Sequence, residues 1–153
     1  MKKLFDPGEN NSIKERINKL TPDSKPLWGK MNASQMLAHL QRPMLVAFGQ
    51  LHLKGGLMAF FFGKMAKRQM VNDKPFKKNM PTMKEFKFTG KKFPEKDFLK
   101  EKSILLSYVD RFLTEGPDII ANKTHPFFGP LTVEEWDTLQ WKHLDHHLRQ
   151  FGV

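Results

Sequence analysis

A stretch near the C-terminus, residues 132–151, decides the expected fold, and it reads TVEEWDTLQWKHLDHHLRQF. The side chain of Thr132 can cap a helix by accepting from the backbone amide of Glu135. The side chain of Glu135 can accept from the backbone amide of Thr132, which completes a capping box. At 100° per residue, seven side chains then fall within about a third of the helix circumference. They are Trp136, Leu139, Gln140, His143, His147, Gln150 and Phe151. The stretch therefore predicts an amphipathic helix with two histidines on its buried side.

The two histidines of that buried side are spaced for a shared ligand. His143 and His147 stand at i and i+4, so their rings project toward the same point and can bind one metal ion. For the bare pair, a partly buried and hydrogen-bonded arrangement competes with this interpretation. His146 is expected on one flank of the helix and Asp145 on the opposite side. Two further side chains are expected to face water, Lys142 and Arg149.

A second helix supplies a third histidine. It is expected to begin near Asn32, with Gln35 completing a capping box, and to run to about Leu53. His39 lies on its apolar stripe, and burying three imidazoles in an apolar interior without a ligand is costly. Three neutral nitrogen ligands would leave coordination positions open, as catalytic metal sites do. The sequence therefore indicates a metal site at His39, His143 and His147, and a hydrogen-bonded cluster without a metal is the alternative.

The remaining pattern predicts an all-α fold with four helices. The first is expected to be capped near Asn11 or Ser12 and to end at Leu20, and the third to run from about Pro94 to Glu115. Links within each half are short, whereas a long crossover joins the second and third helices. Within that crossover, Phe60-Phe61-Phe62 fits core packing better than a site lid or a dimer surface. We expect residues 1–153 to form a single domain.

Composition excludes several classes of protein. The chain of 153 residues has no cysteine, which excludes a disulfide scaffold, a Cys-ligated zinc site, an iron–sulfur cluster and a cysteine nucleophile. It carries 26 Lys+Arg against 16 Asp+Glu, a net charge of +10. The excess between Lys64 and Lys102 is almost all lysine, whereas base recognition favours arginine, so no nucleic-acid partner is expected. No apolar run reaches the ~18 residues of a membrane span, so no membrane partner is expected. No signal peptide is visible, which favours a cytoplasmic location.

Two segments resemble one known family. Residues 28–39, WGKMNASQMLAH, and residues 143–150, HLDHHLRQ, resemble the second-helix start and the last-helix HxxxH segment of the DinB-like superfamily, also called YfiT-like. In many members Arg-Gly-Gln follows the second histidine, whereas here Leu148-Arg149-Gln150 follows it. The stretch from His125 to Gly152 is similar to an uncharacterised branch of that superfamily.

The resemblance implies a four-helix bundle that binds a divalent ion, zinc, nickel, iron or manganese, through His39, His143 and His147. Members with known roles include thiol-dependent transferases, so we expect a metal-dependent thiol S-transferase or hydrolase acting on a small molecule. A transferase would use a low-molecular-weight thiol. A hydrolase would want a general base, for which His125 and His146 are the candidates. A metal-holding module without turnover and a basic nucleic-acid-binding protein are the alternatives, and a homodimer is left open.

Overall fold

The computed structural model describes residues 1–53, 56–72, 74–80, 96–121 and 123–153, with the side chains of 57–60 and 96 left out. The described part is almost entirely helical, as the sequence predicts. Its α-helices are α1 (Pro7–Lys19), α2 (Ala33–Ala47), α3 (Leu57–Met70), α4 (Lys96–Thr114) and α5 (Val133–Gln150). A short 3-10 helix, Pro117–Ile119, and a hairpin of β1 (Thr124–His125) with β2 (Gly129–Pro130) lie between α4 and α5.

The two predicted capping boxes are present. In α2 the Asn32 side chain accepts from the Gln35 backbone, and the Gln35 side chain accepts from the Asn32 backbone. Thr132 and Glu135 do the same for α5. Each box satisfies backbone donors that a helix start leaves unpaired, which contributes about 1 kcal/mol per cap. The two helices that carry the predicted metal ligands, α2 and α5, therefore begin at the capping boxes that the sequence predicts.

The second helix ends earlier than Leu53, the end that its hydrophobic pattern predicts. Gly49 takes a positive φ of 70°, and the amides of Gly49 and Gln50 donate to the carbonyls of Val46 and Leu45 at 3.0 and 2.8 Å. These two bonds form a Schellman ending, which satisfies the last carbonyls and turns the chain away.

The first helix begins earlier than the predicted cap at Asn11 or Ser12. Asp6 caps it by accepting from the Glu9 backbone at 2.9 Å, and Pro7 fits the first helical position. Asn10 is buried instead, and its side-chain amide donates to the carbonyls of Leu4 and Val109 at 2.9 Å each. The expected start of the third helix near Pro94 lies outside the described residues, and α4 continues to Thr114.

Four of the five α-helices, α1, α2, α4 and α5, pack around one core. α2 packs against α4 and α5, and α1 also packs against α4 and α5. The core between them is made of large apolar side chains that water does not reach, including Ile13, Ile17, Met36, Leu40, Phe98, Leu105, Phe112 and Trp136. The links are longer than predicted, because residues 115–132 include the 3-10 helix and the hairpin. The crossover after α2 contains α3.

The prediction that Phe60-Phe61-Phe62 packs in the core is wrong for Phe61 and Phe62. Phe61 is 69% exposed and Phe62 is 45% exposed on α3, while the Phe60 side chain lies outside the described residues. The side of α3 that contacts the rest of the protein is the one with Gly63, where an added methyl group would overlap the carbonyl oxygen of Phe127. Among the described helices, none combines the length and apolarity required to cross a lipid bilayer.

Candidate metal centre

Three imidazole rings from two helices meet in the interior. The ring of His39 on α2 lies 4.9 Å from that of His143 and 4.7 Å from that of His147, both on α5, and those two rings are 4.8 Å apart. His39 and His147 are 3% and 8% exposed, and His143 is half-buried. One ring nitrogen from each histidine lies within 4.8 Å of the others. The structure thus brings together the three histidines that the sequence predicts as metal ligands.

Gln150 selects the tautomer of one of these rings, that of His147. Its amide nitrogen donates to the Trp28 carbonyl at 2.5 Å, and a carbonyl oxygen can only accept. The amide oxygen therefore faces His147, whose Nδ1 lies 2.7 Å away and must be the donor. A neutral imidazole has one N–H, so Nε2 of His147 keeps its lone pair. That nitrogen is consequently available as a metal ligand.

The Gln150 amide has room because residue 29 is glycine. Gly29 has a φ of 82°, a conformation that side chains rarely adopt, and a methyl group there would overlap the Gln150 amide nitrogen. The backbone amide of Leu27 donates to the Gln150 carbonyl at 2.7 Å, which ties the same loop to the end of α5. The loop before α2 therefore positions a ligand on α5.

Burial favours the uncharged form of two of the three rings, His143 and His147. It lowers the pKa of His147 to about 3, helped by the positive charge that His39 would carry when protonated. Burial likewise lowers the pKa of His143 well below its ordinary value, with His147 and His39 as further causes. Nε2 of His39 and Nε2 of His143 are 3.0 Å apart, within hydrogen-bonding distance. In such a bond one of the two nitrogens carries a hydrogen, which a metal ion binding at this pair would displace.

His146, one of the two predicted catalytic residues, lies beside the cluster. Its half-buried ring is 5.0 Å from that of His147 and contacts Trp28 and Phe76 at 5.8 and 6.0 Å. Burial lowers the pKa of His146, so the ring favours its neutral form. A pocket of about 70 Å³ opens there, lined by Trp28, Pro75, Phe76, Lys78, Asp145, His146 and Arg149. The position suits a proton acceptor next to the cluster.

His125, the other predicted catalytic residue, is a packed ring of the hairpin. Its Nδ1 accepts from the backbone amides of Phe127 and Phe128, both at 3.1 Å, and it stacks on the Phe128 ring at 4.3 Å. Trp136 closes the other side at 5.3 Å. Burial lowers the pKa of His125 to about 4. These contacts are those of a residue that shapes the hairpin, and a catalytic role for it stays a prediction.

Lys142 corrects one prediction about α5. It was expected to face water, yet it is buried, and its ammonium donates to the carbonyls of Met70 and Asn72 at 2.6 Å each. The last carbonyls of a helix have no partner within the helix, and Lys142 satisfies that of Met70 at the end of α3 together with that of Asn72 just beyond it. Arg149 is exposed as predicted, and Asp145 pairs with Arg16 at 2.8 Å. Asp145 also lines the pocket beside His146, although the two were expected on opposite sides of the helix.

Sequence reasoning missed the partner of Gln150. Gln150 falls on the buried face of the predicted helix, but its contact is the Trp28 carbonyl, 122 residues away in the chain. The signal for that contact was Gly29, because an isolated glycine often marks a close backbone approach. The comparable bond from the Gln140 side chain to the Pro43 carbonyl, at 3.3 Å, also joins α5 to α2 without a local sequence cue.

Fold and site define the class as a helical protein with a buried cluster of three histidines shared between two helices. A family model described as a protein of unknown function, DUF1569, matches residues 9–152. Because that match covers nearly the whole chain, the chain belongs to this family. No curated protein matches it, and no solved structure matches it.

Proposed function

We propose that this chain binds one divalent transition-metal ion through His39, His143 and His147 and uses it to act on a small molecule. The observation that carries the proposal is the meeting of three ring nitrogens, from two helices, within 4.8 Å of one another. The proposal includes the finer fold description, in which α1, α2, α4 and α5 are the four helices of a DinB-like bundle and α3 belongs to the crossover.

The donor set and its spacing fit such an ion. Metal–imidazole bonds of 2.0–2.1 Å place the nitrogens of a tetrahedral site about 3.3 Å apart. Nε2 of His39 and Nε2 of His143 are 3.0 Å apart, close to that spacing, and all three ligand nitrogens lie within 4.8 Å of one another. Imidazole ligands suit zinc, nickel and iron better than calcium or magnesium, whose preferred ligands are oxygens.

Gln150 and His146 have separate roles in the proposed reaction. A divalent ion held by these three imidazoles would supply Lewis acidity toward a water or a thiol. Gln150 orients the His147 ring through Nδ1, as the outer hydrogen bonds of metal-binding histidines do. His146, neutral because burial lowers its pKa, accepts the proton that the nucleophile gives up. The nucleophile is water or a small thiol from outside the chain, which has no cysteine to supply a thiol of its own.

Binding of the metal is tested first. Zinc and nickel are titrated into tag-free protein by calorimetry, alongside His39→Ala, His143→Ala and, as a control, His52→Ala, which alters an exposed histidine. We expect one high-affinity site in the wild type and in the His52 variant, and its loss in the other two. Full binding by the His39 and His143 variants would contradict the proposal.

Turnover is tested next with the metal-loaded protein. A panel of electrophiles with and without a low-molecular-weight thiol separates a transferase from a hydrolase. We expect activity that a chelator removes and that His146→Ala lowers while metal content is unchanged. A metal-loaded protein with no activity on either panel would favour the metal-holding module.

A further inference from the structure

Beyond the metal site, α3 presents an apolar row and a basic row side by side on its outer surface. Phe61 and Met65, at i and i+4, are 69% and 59% exposed. Lys64 and Arg68, also at i and i+4, are exposed and follow the apolar row by three residues, which places them next to it on the helix. The two rows run parallel along the helix axis.

The opposite face of α3 is fixed to the protein. Gly63 lies against the carbonyl of Phe127, and Lys67 donates to the Pro130 carbonyl at 2.9 Å and pairs with Glu135 at 2.6 Å. Gly63 and Lys67 are themselves at i and i+4, so the inward face is set by two successive turns. The outward face with Phe61 and Met65 is therefore held toward solvent by the fold.

Cations also line a cleft beside these rows. The cleft has a volume of about 460 Å³ between α3 and the hairpin, and its walls include Lys64, Lys67, Arg68, Phe128, Pro130 and one acidic residue, Glu135. Lys67 is paired with Glu135, while the described residues place no acidic ion-pair partner at Lys64 or Arg68. The cleft thus offers two cations to an anionic group beside an exposed apolar row.

We propose that α3 is a docking surface for an anionic lipid bilayer, with Phe61 and Met65 entering the acyl boundary and Lys64 and Arg68 contacting the headgroup phosphates. A helix with one apolar and one cationic face lies in the plane of such a membrane without crossing it. The proposal is independent of the metal site. It revises the expectation of no membrane partner, which rested on the lack of a spanning segment.

Charge favours a lipid surface over the other occupants. The charged residues of α3 are all basic and the chain carries +10, so pairing this face with a second copy would bring like charges together. A nucleic-acid strand would use stacking aromatics interleaved with a track of cations, whereas Met65 cannot stack and the cations form one short row. An anionic bilayer matches both rows at once.

Vesicle flotation tests the proposal with the full chain. We expect binding to vesicles of phosphatidylcholine with phosphatidylglycerol, little binding to phosphatidylcholine alone, and weakening by salt. Phe61→Ser/Met65→Ser and Lys64→Glu/Arg68→Glu should each lower the partition coefficient at least about tenfold. Leu99→Ser and Lys100→Glu, at exposed positions of α4, are the matched controls and should bind like the wild type, as should His39→Ala.

Several results would overturn the proposal. Equal binding to neutral and anionic vesicles, or equal losses in the α4 controls, would remove the role of α3. A dimer in sedimentation velocity that Phe61→Ser/Met65→Ser dissociates would assign the face to a second copy. Full displacement from vesicles by soluble glycerol phosphate would assign the cleft to a free anion. Tighter binding to single-stranded DNA than to anionic vesicles would assign it to nucleic acid.

Discussion

Gln150 determines which nitrogen of His147 carries the hydrogen. Its amide nitrogen is bound to the Trp28 carbonyl, so its oxygen faces Nδ1 of His147 at 2.7 Å and leaves Nε2 bare. Nothing in this arrangement requires an ion, since it follows from which atoms can donate and which can accept. His147 is thus oriented in advance, and metal binding would not have to change its tautomer.

Replacing Gln150 by alanine should weaken metal binding without abolishing the fold. Loss of an outer hydrogen bond to a ligand histidine typically lowers metal affinity about 10–100-fold. Zinc affinity by competition with a chromophoric chelator is the measurement. Gln140→Ala is the matched control, because Gln140 is also a buried glutamine of α5 that bonds to a backbone carbonyl. Equal affinity losses in both variants would show that Gln150 acts only through general stability.

Gly29→Ala should damage the site through a steric route. The added methyl group would overlap the Gln150 amide, and the φ of 82° adds backbone strain. Gly116→Ala separates the two effects, since Gly116 has a φ of 70° but nothing within 4 Å of an added methyl group. We expect both variants to lose about 1–2 kcal/mol of stability from strain, and only Gly29→Ala to lose metal affinity as well. Retained affinity in Gly29→Ala would contradict the coupling between the loop and His147.

His125→Ala should lower stability and leave metal binding unchanged. The ring accepts two backbone hydrogen bonds and packs between Phe128 and Trp136, so its loss should cost about 2–3 kcal/mol. Urea unfolding and zinc stoichiometry measure the two effects separately. If stability stays at the wild-type level while turnover disappears, the catalytic prediction for His125 is the correct one.

Asp137 should make stability depend on pH. Burial raises the pKa of this carboxyl to about 6, against the lowering effect of the Leu4 and Phe5 backbone amides. The pKa of Asp137 is therefore higher in the folded protein than in the unfolded chain. Its contribution to the free energy of unfolding is fully present below about pH 4 and is lost as the pH rises through 6. Asp137→Asn should therefore gain about 2 kcal/mol relative to wild type near pH 8 and little near pH 4. Asp118→Asn, at an exposed position, is the control, and an unchanged difference between the two pH values would refute the role of Asp137.

Local signals in the sequence predicted the parts of the fold that depend on neighbouring residues. The capping boxes at Asn32 and Thr132 fix where α2 and α5 begin, because donor and acceptor lie three residues apart. The 3.6-residue period then placed His143 and His147 on one face, and His39 on the inward side of α2. These local signals indicated that the three rings meet, and the resemblance to the DinB-like superfamily implied it as well.

Contacts between distant residues could not be predicted in this way. The burial of Lys142 depends on the end of α3, and the hold on His147 depends on a carbonyl 122 residues from Gln150. The exposure of Phe61 depends on which face Gly63 turns inward. In each case the deciding partner is set by tertiary packing, and the isolated Gly29 is the one local signal of such a contact.

X-ray absorption spectroscopy of the zinc-loaded, tag-free protein tests the metal site most directly. Three imidazoles should give nitrogen scatterers at about 2.0–2.1 Å with the outer-shell pattern of histidine rings. The number of imidazoles should fall to two in His39→Ala and stay at three in His52→Ala. A first shell of oxygens alone, or a spectrum that His39→Ala leaves unchanged, would contradict the assignment of these histidines as ligands.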